Sequence, residues 1–211
     1  MNDIEKVIML AQNEIGITED ANGRVKYSDE YGLPGQPWCM MFLWWLYWKC
    51  GLSDIFYSGN KTASCGALWK WASKMGYTVG NPQRGDIVIL SFRKLKDGSR
   101  ETSHCGLITG VNLTSINTIE GNTCEYGSQD NGGHVMAQVR NKRLVYGYIR
   151  LPYKNTNAET FMYTVQKGDT LWKIASRFYG SGLKYKKIME DNRLSSSTIY
   201  PGQLLQIYGG N

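Results

Sequence analysis

The chain has few cysteines, and their spacing is not typical of a metal site or a disulfide framework. The five cysteines lie at positions 39, 50, 65, 105 and 124, without a CxxC pair or a Cys/His cluster at zinc-binding spacing. Their density is far below that of small disulfide-stapled domains. We therefore expect no metal, no cofactor and a fold that is stabilised by its apolar core.

The sequence also lacks a segment long enough to cross a membrane. Its longest apolar run, at 37–48, is shorter than the roughly 20 residues that a membrane-spanning helix needs. The first 15 residues place apolar side chains at helical spacing between charges, which is unlike a signal peptide. We expect synthesis in the cytosol without a signal peptide, and no membrane insertion.

No stretch of the chain is dense enough in Lys and Arg to indicate a nucleic-acid partner. The net charge is +6, and residues 154–211 contribute 8 Lys/Arg against 4 Asp/Glu. This surplus would attract polyanions only weakly. We therefore expect no nucleic acid among the partners.

Helical patterns come first in the sequence and strand patterns follow. A helix is predicted over 4–15 with Asp3 as its N-cap, and another over 63–74. Short apolar or alternating runs then predict strands at 87–90, 104–111, 115–120, 135–139 and 145–151. This order predicts an α+β domain in which N-terminal helices pack on an antiparallel sheet.

A change in composition predicts a second, smaller domain. Residues 1–151 form the first domain, and the polar, aperiodic segment 152–161 is interpreted as a linker. Residues 162–211 predict a small β-α-α-β module, near the lower size limit for a domain without disulfides or metal. Such a module is too small for a deep active site, and its size favours a role as a binding module.

The run at 37–48 predicts a buried helix with a cysteine at its start. Pro37 suits the first turn, and Gly51 suits the left-handed end of a helix. The helix dipole and the unpaired N–H groups at this end favour the thiolate form of Cys39. Cys39 is therefore a candidate nucleophile, although burial as a packing cysteine is the alternative.

A thiolate nucleophile needs a base, and the chain has two histidines. His104 begins a predicted strand, whereas His134 lies in a glycine-rich turn. We expect His104 to be the base and Glu120 or Asn122 to orient its ring, because residues two apart in a strand share a face. Gly121 between them would allow another segment to approach. A structural or surface role for His104, and a simple strand end at 120–122, are the alternatives.

Four stretches in this order resemble CHAP domains, the cysteine- and histidine-dependent amidohydrolase/peptidase group of the papain-like fold. They are 37–42 (PWCMMF), 85–88 (GDIV), 103–108 (SHCGLI) and 118–122 (TIEGN). The resemblance implies catalytic roles for Cys39 as nucleophile, His104 as general base, Glu120 as orienting group and Asn122 as a supporting polar residue.

The sequence departs from that family in places. Cys105 stands where such domains often have Val, and strand alternation predicts that it turns away from the site. The acidic residues at 19–30 lack the spacing of the calcium loop found in some CHAP domains. Gln36 is close enough to help stabilise an oxyanion, as a Gln does in papain-like enzymes, although its spacing differs. The N–H of Cys39 is the preferred donor.

A second resemblance covers residues 162–208. Residues 163–175 (YTVQKGDTLWKIA) resemble the opening of a LysM module, and Asn192 with 199–203 (IYPGQ) resembles its close. LysM modules bind N-acetylglucosamine-containing glycans such as peptidoglycan. The glycan-binding residues implied here are Gly168, Asp169, Thr170, Leu171, Asn192, Ile199 and Tyr200.

Together the two resemblances predict a monomeric, endolysin-like peptidoglycan hydrolase. It would cleave an amide in the stem peptide, the cross-bridge or the muramoyl–peptide link, and act at the bacterial wall after release from the host cell. A bacterial or prophage-derived wall-remodelling enzyme is one alternative. A non-catalytic glycan-binding protein is the other.

Overall fold

A computed structural model describes residues 2–125, 132–153 and 160–208 of the 211-residue chain. The chain divides into two compact units, Asn2–Lys154 and residues 155–211, which are described separately. Both combine helices with antiparallel strands, which confirms the predicted α+β class. The central part of the predicted linker, 154–159, lies outside the described residues, and the bounds 152–161 stay a prediction.

Four α-helices form the helical layer of the first unit. They are α1 (Asp3–Asn13), α2 (Lys26–Tyr31), α3 (Cys39–Lys49) and α4 (Cys65–Met75). The predicted N-cap of α1 was wrong by one residue: Asn2 is the cap, and its side chain accepts from the N–H of Glu5 at 2.7 Å. Helix α2 was not among the predicted helices, and Gly32 ends it with a left-handed backbone.

Six strands form one antiparallel sheet beside these helices. They are β1 (Thr78–Val79), β2 (Ile87–Leu90), β3 (His104–Val111), β4 (Ser115–Thr123), β5 (His134–Asn141) and β6 (Val145–Ile149), in the order β1-β6-β2-β3-β4-β5. The five predicted strands are present, and the two-residue β1 extends one edge. The face of the sheet towards the helices contributes Ile87, Leu107 and Ile119 to the main apolar core.

Helix α3 is the centre of that core. Its first nine residues, 39–47, are all buried, as the apolar run predicts. Two details differ from expectation. Trp38 is the N-cap, so Pro37 precedes the helix instead of occupying its first turn, and Trp48 is 43% exposed instead of belonging to the core. Gly51 has the positive φ of 71° predicted for the end of the helix.

The start of α3 contacts the sheet directly at Gly121. A Cβ atom at this position would lie 2.6 Å from Cβ of Phe42 and 2.7 Å from Cζ3 of Trp38. Only a glycine allows this approach without displacing the helix, so the prediction that Gly121 admits a neighbouring segment is confirmed. The contact fixes the first turn of α3, which carries Cys39, beside the strand that carries Glu120.

The second unit has the predicted β-α-α-β order. Its elements are β7 (Thr160–Thr164), α5 (Leu171–Tyr179), α6 (Tyr185–Asp191) and β8 (Leu204–Tyr208), with β7 and β8 paired antiparallel. The side chain of Thr170 caps α5, and a separate small core forms from both helices and β8. Within the described residues of the chain, no helix is long and apolar enough to span a membrane.

Candidate active site

Cys39 is the first residue of α3 and is almost completely buried, with 6% of its surface exposed. The thiols of Cys105 and Cys65 and the ring of His104 hold the pKa of the Cys39 thiol well below its ordinary value, although burial acts in the opposite direction. Its position at a helix N-terminus also favours the anion. Cys39 is therefore set up as a thiolate.

His104, the first residue of β3, is fully buried next to that thiolate. Burial lowers the pKa of His104, but the negative charges of Cys39 and Glu120 outweigh it and raise the pKa to about 9. Nε2 lies 3.0 Å from Oε2 of Glu120. Nδ1 makes no hydrogen bond within the described residues. A pKa of about 9 favours the imidazolium form of the ring at neutral pH.

Glu120 is a fully buried carboxylate whose charge is compensated from two sides. Oε2 is within hydrogen-bond distance of His104, and the guanidinium of Arg140 donates to both carboxylate oxygens, with Nε 2.9 Å from Oε1. Burial raises the pKa of Glu120, but Arg140 and His104 reverse that effect and hold the pKa at about 2. Thr118 also donates to Oε1.

Arg140 is the member of this group that sequence reasoning missed. It lies on β5, is only 3% exposed and also donates to the hydroxyl of Thr123 at 3.0 Å. In the sequence it occupies one position of an ordinary strand near Lys142 and Arg143. A signal was nevertheless available, because a buried carboxylate that does not coordinate a metal needs a cationic partner.

Asn122 lies at the end of β4, but its backbone is left-handed, with a φ of 58°. The pairing of β4 with β5 shifts register between Glu120 and Thr123 at the same place. The shared-face argument from strand alternation therefore does not apply at Asn122. Its side-chain oxygen accepts from the N–H of Gly133 at 3.3 Å, and its supporting catalytic role stays a prediction.

The two predicted oxyanion donors, Gln36 and the backbone N–H of Cys39, lie before α3 and in its first turn. Gln36 is exposed and precedes α3, and its role stays a prediction. The N-cap Trp38 forms no side-chain capping bond within the described residues; its indole N–H instead donates to Glu19 at 2.7 Å. The backbone N–H groups of the first turn of α3, which lack intrahelical partners, are therefore free of a capping side chain.

The prediction that Cys105 turns away from the site was wrong. The Cys39 and Cys65 sulfurs are 4.0 Å apart, and the sulfurs of Cys39, Cys65 and Cys105 all lie within 4.8 Å of one another. Alternation does turn Cys105 away from Glu120 and into the helix-facing core. Helix α3 packs on that same face, which brings Cys39 against Cys105.

The second histidine is not part of this arrangement. His134 is exposed at the start of β5, where it pairs with Thr123 and bridges to Thr18. It lines a surface depression of about 620 Å³, together with Ile15 and Cys124. None of Cys39, His104 or Glu120 lines that depression.

The family models match both units. Residues 30–122 match the CHAP domain, and residues 163–207 match the LysM domain. The chain combines a CHAP domain with a LysM domain. The CHAP match spans Cys39, His104, Glu120 and Asn122, but Arg140 lies beyond its end.

Curated relatives align with short stretches of the chain. An N-acetylmuramoyl-L-alanine amidase sle1 from Staphylococcus epidermidis is 43% identical over 61 residues, which is 29% of this chain and 18% of that protein. An uncharacterized protein from Deinococcus radiodurans is 44% identical over 57 residues, or 26% of this chain and 22% of that protein. The chain thus spans about a fifth of the length of these relatives.

Among solved structures, the crystal structure of Ly7917 aligns with 76% of this chain and 66% of its own, at 16% identity and a TM-score of 0.41.

Several residues predicted to bind glycan have structural roles in the LysM domain. Asp169 accepts from the hydroxyl of Tyr163 at 2.6 Å and from the N–H of Gln166 at 2.8 Å. The amide of Asn192 makes hydrogen bonds to Ile188 and Gln206, which hold α6 against β8. These bonds shape the fold, and the glycan-binding roles of both residues stay predictions.

The other predicted residues differ in exposure. Tyr200 is 68% exposed, whereas Leu171 is buried and Ile199 packs against the small core. Gly168 has a φ of 87° in the turn before α5. Thr170 and Leu171 line a depression of about 430 Å³ with Trp172, Tyr185 and Ser197, and the sequence had predicted only the first two as glycan-binding residues.

Replacing the buried guanidinium tests whether Arg140 compensates Glu120. We expect Arg140→Met to lower the free energy of unfolding by about 3–5 kcal/mol, because it leaves a buried charge without its partner. Arg84→Met is the matched control, since Arg84 pairs with Glu5 at the surface and such pairs contribute about 0–1 kcal/mol. Urea denaturation measures both. Equal, small losses would contradict the role of Arg140.

Proposed function

We propose that this protein is a peptidoglycan hydrolase whose CHAP domain cleaves an amide bond with Cys39 as the nucleophile. The observation that supports this most directly is the burial of Cys39 beside His104, whose Nε2 lies 3.0 Å from Oε2 of Glu120. Nucleophile, base and orienting group then occur in the arrangement that acyl transfer requires. Peptidoglycan is proposed as substrate because the same chain carries a LysM domain.

In the first half-reaction the Cys39 thiolate attacks the carbonyl carbon of the scissile amide. The carbonyl oxygen becomes an oxyanion beside the N-terminus of α3, where the backbone N–H of Cys39 donates to it. We retain Gln36 as a second donor in this proposal. The positive end of the helix therefore stabilises first the thiolate and then the oxyanion.

His104 completes both half-reactions. Its imidazolium protonates the amine as the C–N bond breaks, which leaves an acyl thioester on Cys39. The neutral ring then takes a proton from water, which attacks the thioester and releases the carboxylic acid and the thiolate. Glu120 keeps the ring oriented and stabilises its positive charge, while Arg140 prevents Glu120 from taking the proton.

The LysM domain is proposed to hold the enzyme on wall glycan. It has a core of its own and exposed aromatic side chains, including Trp172 and Tyr200, which are suited to stacking on sugar rings. Tethering the catalytic domain to its polymer raises the local substrate concentration without new contacts at the active site. The enzyme would act at the cell wall.

The similarity to N-acetylmuramoyl-L-alanine amidases favours one bond for the first test, the muramoyl–L-alanine amide. The stem peptide and the cross-bridge remain the alternative targets. The same chemistry serves an endolysin released from a host cell or a wall-remodelling enzyme of a bacterium, and we propose the endolysin.

The nucleophile is tested on purified Gram-positive walls. Cys39→Ser should lower the rate of turbidity loss by about a thousandfold or more, because it removes the covalent route. Cys50→Ser, the same change at the far end of α3, should clear walls like the wild type. New L-alanine amino termini would identify an amidase, and new D-alanine carboxyl ends or bridge amines an endopeptidase. Clearance by Cys39→Ser at the wild-type rate would overturn the mechanism.

The anchoring role is tested by sedimentation with walls in the inactive Cys39→Ser background. Tyr200→Ala should weaken binding by about tenfold if its ring stacks on glycan. Leu183→Ala is the matched control, because Leu183 is also a large exposed apolar side chain of the LysM domain, with 74% of its surface accessible. The same loss in both variants, or in neither, would remove Tyr200 from the glycan site.

A further inference from the structure

Three cysteines that are far apart in sequence meet at the proposed nucleophile. Cys39 is the first residue of α3, Cys65 is the first residue of α4, and Cys105 is the second residue of β3. Their three sulfur atoms lie within 4.8 Å of one another, and the closest pair is 4.0 Å apart. The proposed hydrolysis requires only one of these thiols.

The spacing of the sulfurs suits a metal ion better than a disulfide. Zn–S bonds of about 2.3 Å in a tetrahedral site place sulfurs about 3.8 Å apart. The Cys39 and Cys65 sulfurs are 4.0 Å apart, and no pair of the three sulfurs is separated by more than 4.8 Å. A disulfide would require two of the sulfurs to approach to about 2.05 Å, which is roughly half their present separation.

The chemistry of the three ligand atoms also suits a soft metal ion. Cys39, Cys65 and Cys105 are all buried, and each contributes a sulfur to the same small volume. A thiophilic ion prefers such ligands and displaces their protons on binding.

His104 lies beside this cluster but is not one of its members. Its Nδ1 is buried and makes no hydrogen bond within the described residues, and its Nε2 lies 3.0 Å from Glu120. The ligand atoms that lie within 4.8 Å of one another are the three sulfurs alone, so the fourth position of a tetrahedral site would be left to water.

We propose that Cys39, Cys65 and Cys105 form a binding site for a thiophilic d¹⁰ metal ion such as Zn²⁺, and that the bound ion reversibly blocks the nucleophile. The ion replaces the protons of the Cys65 and Cys105 thiols, and no oxidant or reductant is needed. Cys39 and Cys65 are each 6% exposed, so a metal ion would reach the cluster from the side that these two residues expose to solvent. Because positions 39, 65 and 105 are far apart in the sequence, no short sequence motif indicates this site.

The binding experiment uses the full chain, reduced with a phosphine and freed of metal. Zn²⁺ is titrated in competition with a chromophoric chelator, and we expect one ion per chain. Cys65→Ser should weaken the affinity by roughly tenfold at the least, because loss of even an outer partner has an effect of that size. Cys50→Ser should bind like the wild type.

A second measurement keeps the proposal testable if Cys65→Ser does not fold, which circular dichroism will show. Cd²⁺ added to the wild type should produce the ultraviolet charge-transfer absorption of a three-thiolate site, and alkylation of Cys39 beforehand should reduce it. Absence of stoichiometric binding by the wild type would overturn the site. Equal affinity of folded Cys65→Ser and wild type would do so as well.

Inhibition of hydrolysis by the bound ion is measured as the rate of wall clearance. Zn²⁺ should slow the wild type at concentrations that leave Cys65→Ser active, each relative to its own rate in chelator, and chelator should restore the wild-type rate. The same zinc sensitivity in both proteins would overturn the block. Because the binding arms need no catalysis, failure of this site and failure of the proposed hydrolysis are distinguishable.

Discussion

The buried negative charge of Glu120 is the constraint on which the site depends. A carboxylate that is fully removed from water is unstable unless its charge is compensated and its oxygens are hydrogen-bonded. Arg140 on one side and His104 on the other do this, and the Cys39 thiolate compensates His104 in turn. The result is a line of four alternating charges with no net charge. Arg140 and His104 hold the pKa of Glu120 down, and Cys39 and Glu120 in turn raise the pKa of His104.

The four charged residues lie on four separate elements, α3, β3, β4 and β5. The contact between α3 and the sheet sets their relative positions. Cys39 is held by α3, whose first turn rests against the bare backbone at Gly121, one residue after Glu120. Helix α4 contributes Cys65 by the same N-terminal geometry that places Cys39. Local sequence rules determine each helix start, but the juxtaposition of the two thiols arises only from tertiary packing. The proposed nucleophile and the proposed inhibitory metal site therefore lie in the same part of the core.

The sequence was sufficient for the parts of the structure that repeat locally. The apolar run predicted α3, strand alternation predicted the sheet, and the order of Cys39, His104 and Glu120 predicted the group that the structure brings together. Arg140 was not predicted as a site residue, because its position in a strand does not show which face of the sheet will be buried. Cys105 was misplaced because alternation gives a face but not which element covers it. The short helix α2 has too few residues for a periodic pattern, so it was not predicted.

The measurement that tests the central claim most directly is the pH dependence of alkylation at Cys39, followed by peptide mass spectrometry. Cys50 in the same chain is the internal reference, because burial raises the pKa of its thiol. We predict that Cys39 reacts rapidly well below the ordinary thiol pKa of about 8.5, while Cys50 does not. Wall clearance should then fall as the pH rises through about 9, where the His104 imidazolium loses its proton. If Cys39 gains reactivity only together with Cys50, no thiolate–imidazolium pair exists and the account is wrong.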